Sequence, residues 1–295
     1  MANGIKVLLG RTVILWWRII LYAYTGRQVI FYMIADVSVI IPYFNALATI
    51  GRSIESVIAQ TVAVRELVIV DDASGDPEAL ARLVDGYRGS LNILLISLEI
   101  NRGPSNARNV GVVNASSSYI AFLDADDVWH PEKIRIQYMY MQQNPVRLTA
   151  HGYIADLQQR PFFIDKHLSG ENIGRRSFIY RNPIFTPTVM ARREGFCLFD
   201  DRYRRMEDYL CWYENLKNGN HILLSLELAG GFKAAIGSSG LTASVRLMHE
   251  SCLDVLRGLR KERKMPLSDY LFAYVFEMIK FPVRSFLVFI RKSFS

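Results

Sequence analysis

The sequence predicts an α/β fold: a mostly parallel central sheet with helices on both faces, followed by a helical, basic C-terminal tail. Three observations predict it. Short apolar runs alternate with helix-period segments four times before about residue 145, the pattern of strand–helix–strand units. The runs end on polar or acidic clusters, as strands do where a ligand crevice lies at their carboxyl ends. Hydrophobic residues make up 51% of the 295 residues and charged residues 21%, which allows a sizeable core and excludes wholesale disorder.

The elements follow in order. Residues 37–41 form an apolar run that stops at Pro42, as a buried strand does. Ile50, Ile54, Val57 and Ile58 then recur at helical spacing. Residues 66–70 make a second strand, closed by Asp71 and Asp72, and Pro77 opens a helix reaching Tyr87. Residues 92–96 are a third strand. A turn at 101–104 leads to a helix N-capped by Ser105. Residues 119–123 are a fourth strand, ending in Asp124, Asp126 and Asp127, and Pro131 starts another helix. Beyond residue 145 the rhythm weakens. Residues 185–191 and 222–228 read as strands, and Tyr209, Trp212, Tyr213 and Leu216 mark a helix that stops at Gly219. From Leu241 the pattern is helical. Leu267, Leu271, Val275, Met278 and Ile279 form an apolar stripe that continues past a kink at Pro282.

Charge is unevenly spread. The formal net charge is +7. Residues 1–35 carry four Lys/Arg and no acid, and residues 257–295 carry nine against three acids, so the stretch between is mildly acidic. A nucleic-acid binder carries its basic face on the folded body, so no nucleic-acid partner is expected. Basic, aromatic-rich ends suit contact with an anionic membrane surface. Arg11 and Arg18 interrupt the apolar residues 7–24 on one helical face. That pattern fits an interfacial amphipathic helix better than a spanning one, and no small-residue cleavage site follows. A start at Met33, with the preceding residues an upstream extension, fits as well. The expected organisation is an N-terminal extension over 1–35, a catalytic-type domain over 36–245 and a membrane-associating helical tail over 246–295. Cys197, Cys211 and Cys252 are odd in number and lack metal-site spacing, which fits a reducing cytoplasm and argues against a disulfide framework.

The acids at the strand ends carry the chemistry. Asp71 and Asp72 follow one strand; Asp124, Asp126 and Asp127 follow another. Clustered carboxylates raise one another's pKa unless something neutralises them. A divalent metal with a diphosphate does so, because Mg²⁺ takes one or two carboxylates, water and phosphate oxygens. Other families place acids after strands too. A haloacid-dehalogenase-type phosphatase and a receiver domain both put their acidic motif on the first strand, and here a strand and helix precede both clusters.

The set VSVIIPYFN (37–45), ELVIVDDASGD (66–76), NRGPSNARNVG (101–111), YIAFLDADDVWHPEKI (119–134) and MEDYLCW (206–212) resembles family 2 glycosyltransferases of GT-A fold, in colinear order over about residues 37–240. The resemblance implies an inverting, metal-dependent transfer of sugar from a nucleotide-sugar, a UDP-sugar, to a saccharide or lipid-linked saccharide. The work belongs to non-processive, cell-surface glycan synthesis at the inner face of the cytoplasmic membrane. It also implies roles. Pro42, Phe44 and Asn45 lie along the nucleotide, Asp71 belongs to the donor-binding set, Asp72 bonds the base, and Arg108 approaches the base or diphosphate. Asp124 and Asp126 are the DxD pair, Asp126 and Asp127 hold Mg²⁺ or Mn²⁺, and Asp208 is the general base. An inactive nucleotide- or glycan-binding module of the same fold is the alternative. No QxxRW motif is present, and GGFKAAIGSSGLTAS (230–244) stands where the family carries a Tyr-Arg-x-His region. Lys233 is therefore expected near the diphosphate, and residues 237–240 as a loop closing over the donor. His151 and His249 are expected to be structural.

Overall fold

The computed structural model describes residues 20–25, 28–164, 167–232 and 244–293. In chain order the first half runs β1 (Ile20–Thr25), β2 (Gln28–Tyr43), α1 (Leu47–Ile58), β3 (Ala63–Asp71), α2 (Pro77–Asp85), β4 (Ile93–Ser97), α3 (Pro104–Asn114), β5 (Tyr119–Phe122), β6 (Val128–Trp129) and α4 (Lys133–Gln143). The second half runs β7 (Leu148–Ile154), β8 (Gly170–Asn172), α5 (Ser177–Tyr180), β9 (Met190–Arg192), α6 (Glu207–Asn215), β10 (His221–Gly230), α7 (Val245–Lys261) and α8 (Leu267–Ser293).

The sheet order is β4-β3-β2-β5-β9-β7-β10-β6, with β1 beside β2 and β8 beside β10. Strands β4, β3, β2 and β5 are mutually parallel, and β7 is parallel to β10. Strand β9 runs antiparallel to both β5 and β7, and β6 antiparallel to β10. The chain steps outward from β2 to β3 and β4, then returns to the other side of β2 as β5. The direction of winding therefore switches between β2 and β5, and sheets of this class place their ligand crevice beyond the carboxyl ends of such a pair of strands.

Both faces of the sheet are buried, so successive residues of one strand enter different cores. Val39 and Ile41 pack with α1, α2 and α4, whereas Ile40 packs with Phe122, Trp212 and residues of α7 and α8. This is why the strands read as continuous apolar runs. Helix α3 sits close on β2: a Cβ on Gly111 would lie 2.4 Å from Ile40 Cγ2. Leu253, Val255, Leu256 and Leu259 of α7 are buried, and the last three share a core with α6, so α7 packs against the body.

Several expectations shift. The helix expected to reach Tyr24 is corrected, because residues 20–25 form β1, antiparallel to the start of β2. Ile, Tyr, Val and Phe dominate both segments and favour pairing over a lone amphipathic helix. Residues 1–19 lie outside the described residues. Helix α3 starts one residue before Ser105, with Gly103 in a left-handed conformation as N-cap and Pro104 in its first turn; α4 starts at Lys133 rather than Pro131. In the 185–191 segment only Met190 onward is strand, after a 3-10 turn at Thr186–Thr188. Helix α8 runs through Pro282, whose missing N–H removes one helical hydrogen bond.

Candidate active site

The ends of β2, β3, β5, β7 and β10 supply the residues around that crevice. After β2, Phe44 is half exposed and Asn45 adopts a left-handed backbone, which Asn tolerates better than most residues. The Asn45 amide donates to Ser74 Oγ at 2.9 Å, and its Oδ1 accepts the Gly75 amide at 2.9 Å. The loops after β2 and β3 are thereby clasped together. Pro42 pairs in register with Val70 near the top of β3. Asp71 and Asp72 are both buried. Asp71 accepts the Ser74 amide at 3.0 Å. Asp72 accepts the amides of Arg102 and Gly103 at 3.0 and 2.7 Å, and so braces the turn that launches α3.

Beyond β5 the chain turns tightly, with the Asp127 amide donating to the Asp124 carbonyl at 3.1 Å. Helix α1 holds this corner from below. Arg52 Nη2 donates to the Asp126 carbonyl at 2.9 Å, and Ser53 Oγ donates to the Asp127 carbonyl at 2.8 Å. Asp124 and Asp126 are half-buried and Asp127 is buried. Tyr153, at the end of β7, donates its hydroxyl to Asp127 Oδ1 at 2.7 Å. Burial and the neighbouring Asp127 push the Tyr153 phenol well above its ordinary value, so it stays a proton donor. The end of β10 closes the corner: a Cβ on Gly231 would lie 2.4 Å from Tyr153 Oη and 2.7 Å from Asp127 Oδ1. Only a residue without a side chain leaves that cradle open.

Arg108 of α3 ties the acid corner to α6. Its guanidinium is buried, donates to Asp124 Oδ1 at 2.9 Å and to Glu207 Oε1 at 3.2 Å, and lies 5.3 Å from the Phe199 ring centre. Burial pulls its pKa down, but Asp124 and Glu207 more than offset that and hold it above the usual value. Met206, left-handed at φ 61°, turns the chain into α6, so Glu207 and Asp208 occupy the first turn, where the helix dipole favours acids. Asp208 is half-buried; its Oδ2 accepts Asn182 Nδ2 at 2.8 Å and its Oδ1 accepts the Tyr209 amide at 2.7 Å. Burial raises the Asp208 pKa; the Tyr209 amide and Arg108 oppose that, and Asp124 adds to it. Glu207 is pushed up to about 7, by burial first and by Asp208 second, with Arg108 pulling the other way.

The structure therefore brings Asp124, Arg108, Glu207 and Asp208 into one electrostatic unit, with Asp126 and Asp127 at the same strand end. Asp71, Asp72, Phe44 and Asn45 occupy the adjoining strand ends. Asp208 is coupled to the acid corner through the charges of Arg108 and Asp124. His151 is buried, with Nδ1 2.8 Å from the Gly152 carbonyl. His249 sits 3.1 Å from Glu277 and stacks on Phe281 between α7 and α8. Lys233 and residues 237–240 lie outside the described residues. Tyr153, Asn182, Arg52 and Phe199 are site residues that sequence reasoning missed. Tyr153 was findable, because it stands at a strand's carboxyl end. Asn182 and Phe199 are in irregular segments and carry no periodic signal.

The donor set suits a divalent cation. Asp126 and Asp127 offer hard carboxylate oxygens beside the bare Gly231 cradle. Among the described residues no three acids, histidines or cysteines converge. Two carboxylates completed by phosphate oxygens and water is the arrangement Mg²⁺ prefers.

Comparison with known proteins agrees with the geometry. Residues 38–201 match the family "Glycosyl transferase family 2". The chain is 35% identical over 180 residues to an uncharacterized glycosyltransferase of Rickettsia felis, covering 60% of this chain and 29% of that protein. It is 32% identical over 184 residues to UDP-Glc:alpha-D-GlcNAc-diphosphoundecaprenol beta-1,3-glucosyltransferase WfgD of Escherichia coli, covering 62% of this chain and 71% of that one. The chain thus spans less than a third of the rickettsial relative and most of the enterobacterial one. Among solved structures, residues 1–349 of S. aureus TarS in complex with UDP-GlcNAc share the fold, with a TM-score of 0.60 at 22% identity. That match covers 76% of this chain and 66% of the other.

Proposed function

The chain belongs to glycosyl transferase family 2, and from that premise we propose that it transfers a sugar from a UDP-sugar to a saccharide or lipid-linked saccharide, with inversion, in cell-surface glycan synthesis. The observation that carries this reading is the buried Arg108, which joins the acid corner after β5 to the start of α6, where Asp208 stands. The names of the relatives support it: WfgD is named for a UDP-linked donor and a lipid diphosphate acceptor, and the TarS fold accommodates UDP-GlcNAc.

Each residue has a task. Pro42, Phe44, Asn45, Asp71 and Asp72 flank the nucleotide, with Asp72 toward the base. Asp126 and Asp127 would hold Mg²⁺ or Mn²⁺, and a cation there would offset charge on a departing diphosphate. Arg108 holds the Asp124 and Glu207 carboxylates in place. Asp208, oriented by Asn182, accepts the proton of the acceptor hydroxyl as its oxygen attacks the anomeric carbon in line. The diphosphate leaves on the opposite side, so configuration inverts.

We place the transferase domain at 36–245 and a membrane-associating segment at 246–295, with 1–35 as an extension. Contact is peripheral, at the inner face of the cytoplasmic membrane. No helix among the described residues is long and apolar enough to cross a bilayer, while α8 exposes a long apolar stripe beside basic residues.

The test is nucleotide diphosphate release from a panel of nucleotide-sugars, with Mg²⁺ or Mn²⁺, by the wild type and Asp208→Asn. We expect release from a UDP-sugar, reduced about 10²–10⁴-fold by the substitution. An absence of release with every donor favours the inactive binding module, and equal release by both proteins removes Asp208 from the mechanism.

A further inference from the structure

A second charged site lies away from the crevice, at the far end of α6. The last turn of α6 and the residue Lys217 beyond it, the segment before α5 and the corner between α7 and α8 line an open pocket of about 320 Å³. Five cations line it, Arg175, Lys217, Arg260, Arg263 and Lys264, against one acid, Glu214. Lys264 is paired with Glu214 at 2.7 Å and with Glu262 at 2.6 Å. The other four cations make no ion pair with any carboxylate among the described residues and are exposed. Like charges gathered without counter-charges repel one another, at a cost to folding. Arg263, moreover, is held at φ 56°, a backbone region that non-glycine residues adopt at a cost. An anion with several oxygens would neutralise this set, and guanidinium groups match phosphate oxygens in geometry.

What adjoins the pocket narrows the class of anion. Pro266 lines it, and the next residue, Leu267, begins α8 and is 52% exposed. Leu271, Val275, Met278 and Phe286 follow at steps of four, three and eight residues, all about half exposed or more, so they form one continuous apolar stripe along the helix. A basic pocket at the foot of an exposed apolar stripe matches an amphiphile with an anionic head and hydrocarbon tails.

We propose that this pocket binds the phosphate of an anionic phospholipid in a bilayer, with the α8 stripe seated among the acyl chains beside it. The proposal deepens the membrane-contact reading above and rests on it. It makes the contact a defined headgroup site rather than a diffuse attraction, and it leaves the sugar-transfer chemistry untouched.

The experiment is flotation of the full chain with vesicles of phosphatidylcholine containing 30 mol% phosphatidylglycerol. A parallel arm uses phosphatidylcholine vesicles carrying 2 mol% farnesyl diphosphate. Arg260→Ala/Arg263→Ala should lower partitioning onto the phosphatidylglycerol vesicles by about 30-fold, at roughly fivefold per charge. Arg246→Ala/Lys261→Ala, two α7 cations outside the pocket, should lower it less than fivefold. Circular dichroism and donor hydrolysis should match the wild type in both. Equal losses in the two double variants would overturn the pocket in favour of diffuse attraction. A loss confined to the farnesyl diphosphate arm would overturn the phospholipid assignment. Failure of the membrane reading shows separately: if Leu271→Ser/Val275→Ser partitions like the wild type, or the wild type does not float, the apolar contact itself is wrong.

Discussion

Replacing Arg108 with methionine should destabilise the protein, and the loss should depend on pH in a defined direction. The guanidinium is the only cation bonded to both Asp124 and Glu207 among the described residues, at 2.9 and 3.2 Å, and Asp208 lies in its field. Methionine keeps much of the aliphatic volume, so the principal loss is the charge. Removing one partner of a buried ionic set costs about 3–5 kcal/mol, because the acids left behind stay desolvated. For a chain of this size that is about 5–8 °C in melting temperature. The sign with pH follows from Glu207. Its folded pKa of about 7 stands above the unfolded carboxylate value of about 4.3. Such a group contributes stability that is complete below the unfolded value and is lost as pH rises through the folded one. Without Arg108 the pull that lowers it is gone, and its pKa rises further. The gap between wild type and Arg108→Met should therefore be widest above pH 8 and shrink toward pH 5. Adding Glu207→Gln should recover part of it at pH 8. Thermal melts by circular dichroism from pH 5 to 8.5 measure this. A gap that stays constant across the range would mean that the loss is packing and that the ionic account is wrong.

Other consequences are open to measurement. Because burial raises the Asp208 pKa and Asp208 must be ionised to accept a proton, turnover should rise with pH along a limb that lies above the ordinary carboxylate range. Glu207→Gln should shift that limb to lower pH, read from diphosphate release between pH 5.5 and 9; an unmoved limb would detach the pair from the rate. Gly231→Ala should weaken UDP binding by about tenfold, since the added Cβ displaces Tyr153 and Asp127, and a misplacement near 1 Å is costly at such sites. Calorimetric titration with UDP and Mn²⁺ checks it, and unchanged affinity would mean that the cradle has slack. Lys133 is fully buried, bonded to Gln137 Oε1 at 2.6 Å and 4.0 Å from the Trp129 ring centre, and burial pushes its pKa well below the usual value. Its folded pKa is depressed, so it detracts from stability at pH 7, and the penalty fades as pH rises toward about 10.4. Lys133→Met should raise the melting temperature at pH 7, with a smaller gain at pH 10; a lower melting temperature at pH 7 would mean that the ammonium stabilises the core.

Local chemistry made much of the molecule legible from the sequence. Strands β2, β3 and β5 are apolar runs because both their faces are buried, and a run buried on both sides needs no partner to be recognised; β4, at the sheet edge, reads as a run although Leu94 is exposed. The acids at 71–72 and 124–127 stand out because charge directly after such a run has a single place to go, the open end of the sheet. Helix ends were less certain: Pro104 and Lys133 begin helices whose starts were expected one or two residues away, since capping depends on backbone geometry that composition only biases. The N-terminal segment misled because aromatic and β-branched residues interrupted by arginine suit a surface helix and an edge strand alike, and the choice at Ile20–Thr25 rests on pairing with β2.

Tertiary structure decided everything that depends on long-range closure. That Arg108 bridges Asp124 and Glu207, 99 positions apart for the second pair, follows from α3 and α6 packing on the same face of one sheet, which no local pattern encodes. The same holds for Tyr153 on Asp127, Asn182 on Asp208, and the basic pocket assembled from three separate segments. The chain alone determined which residues could do chemistry, because side-chain type and strand ends are local properties. Folding determined which of them share a field, because electrostatic coupling falls with distance through space and is indifferent to distance along the chain.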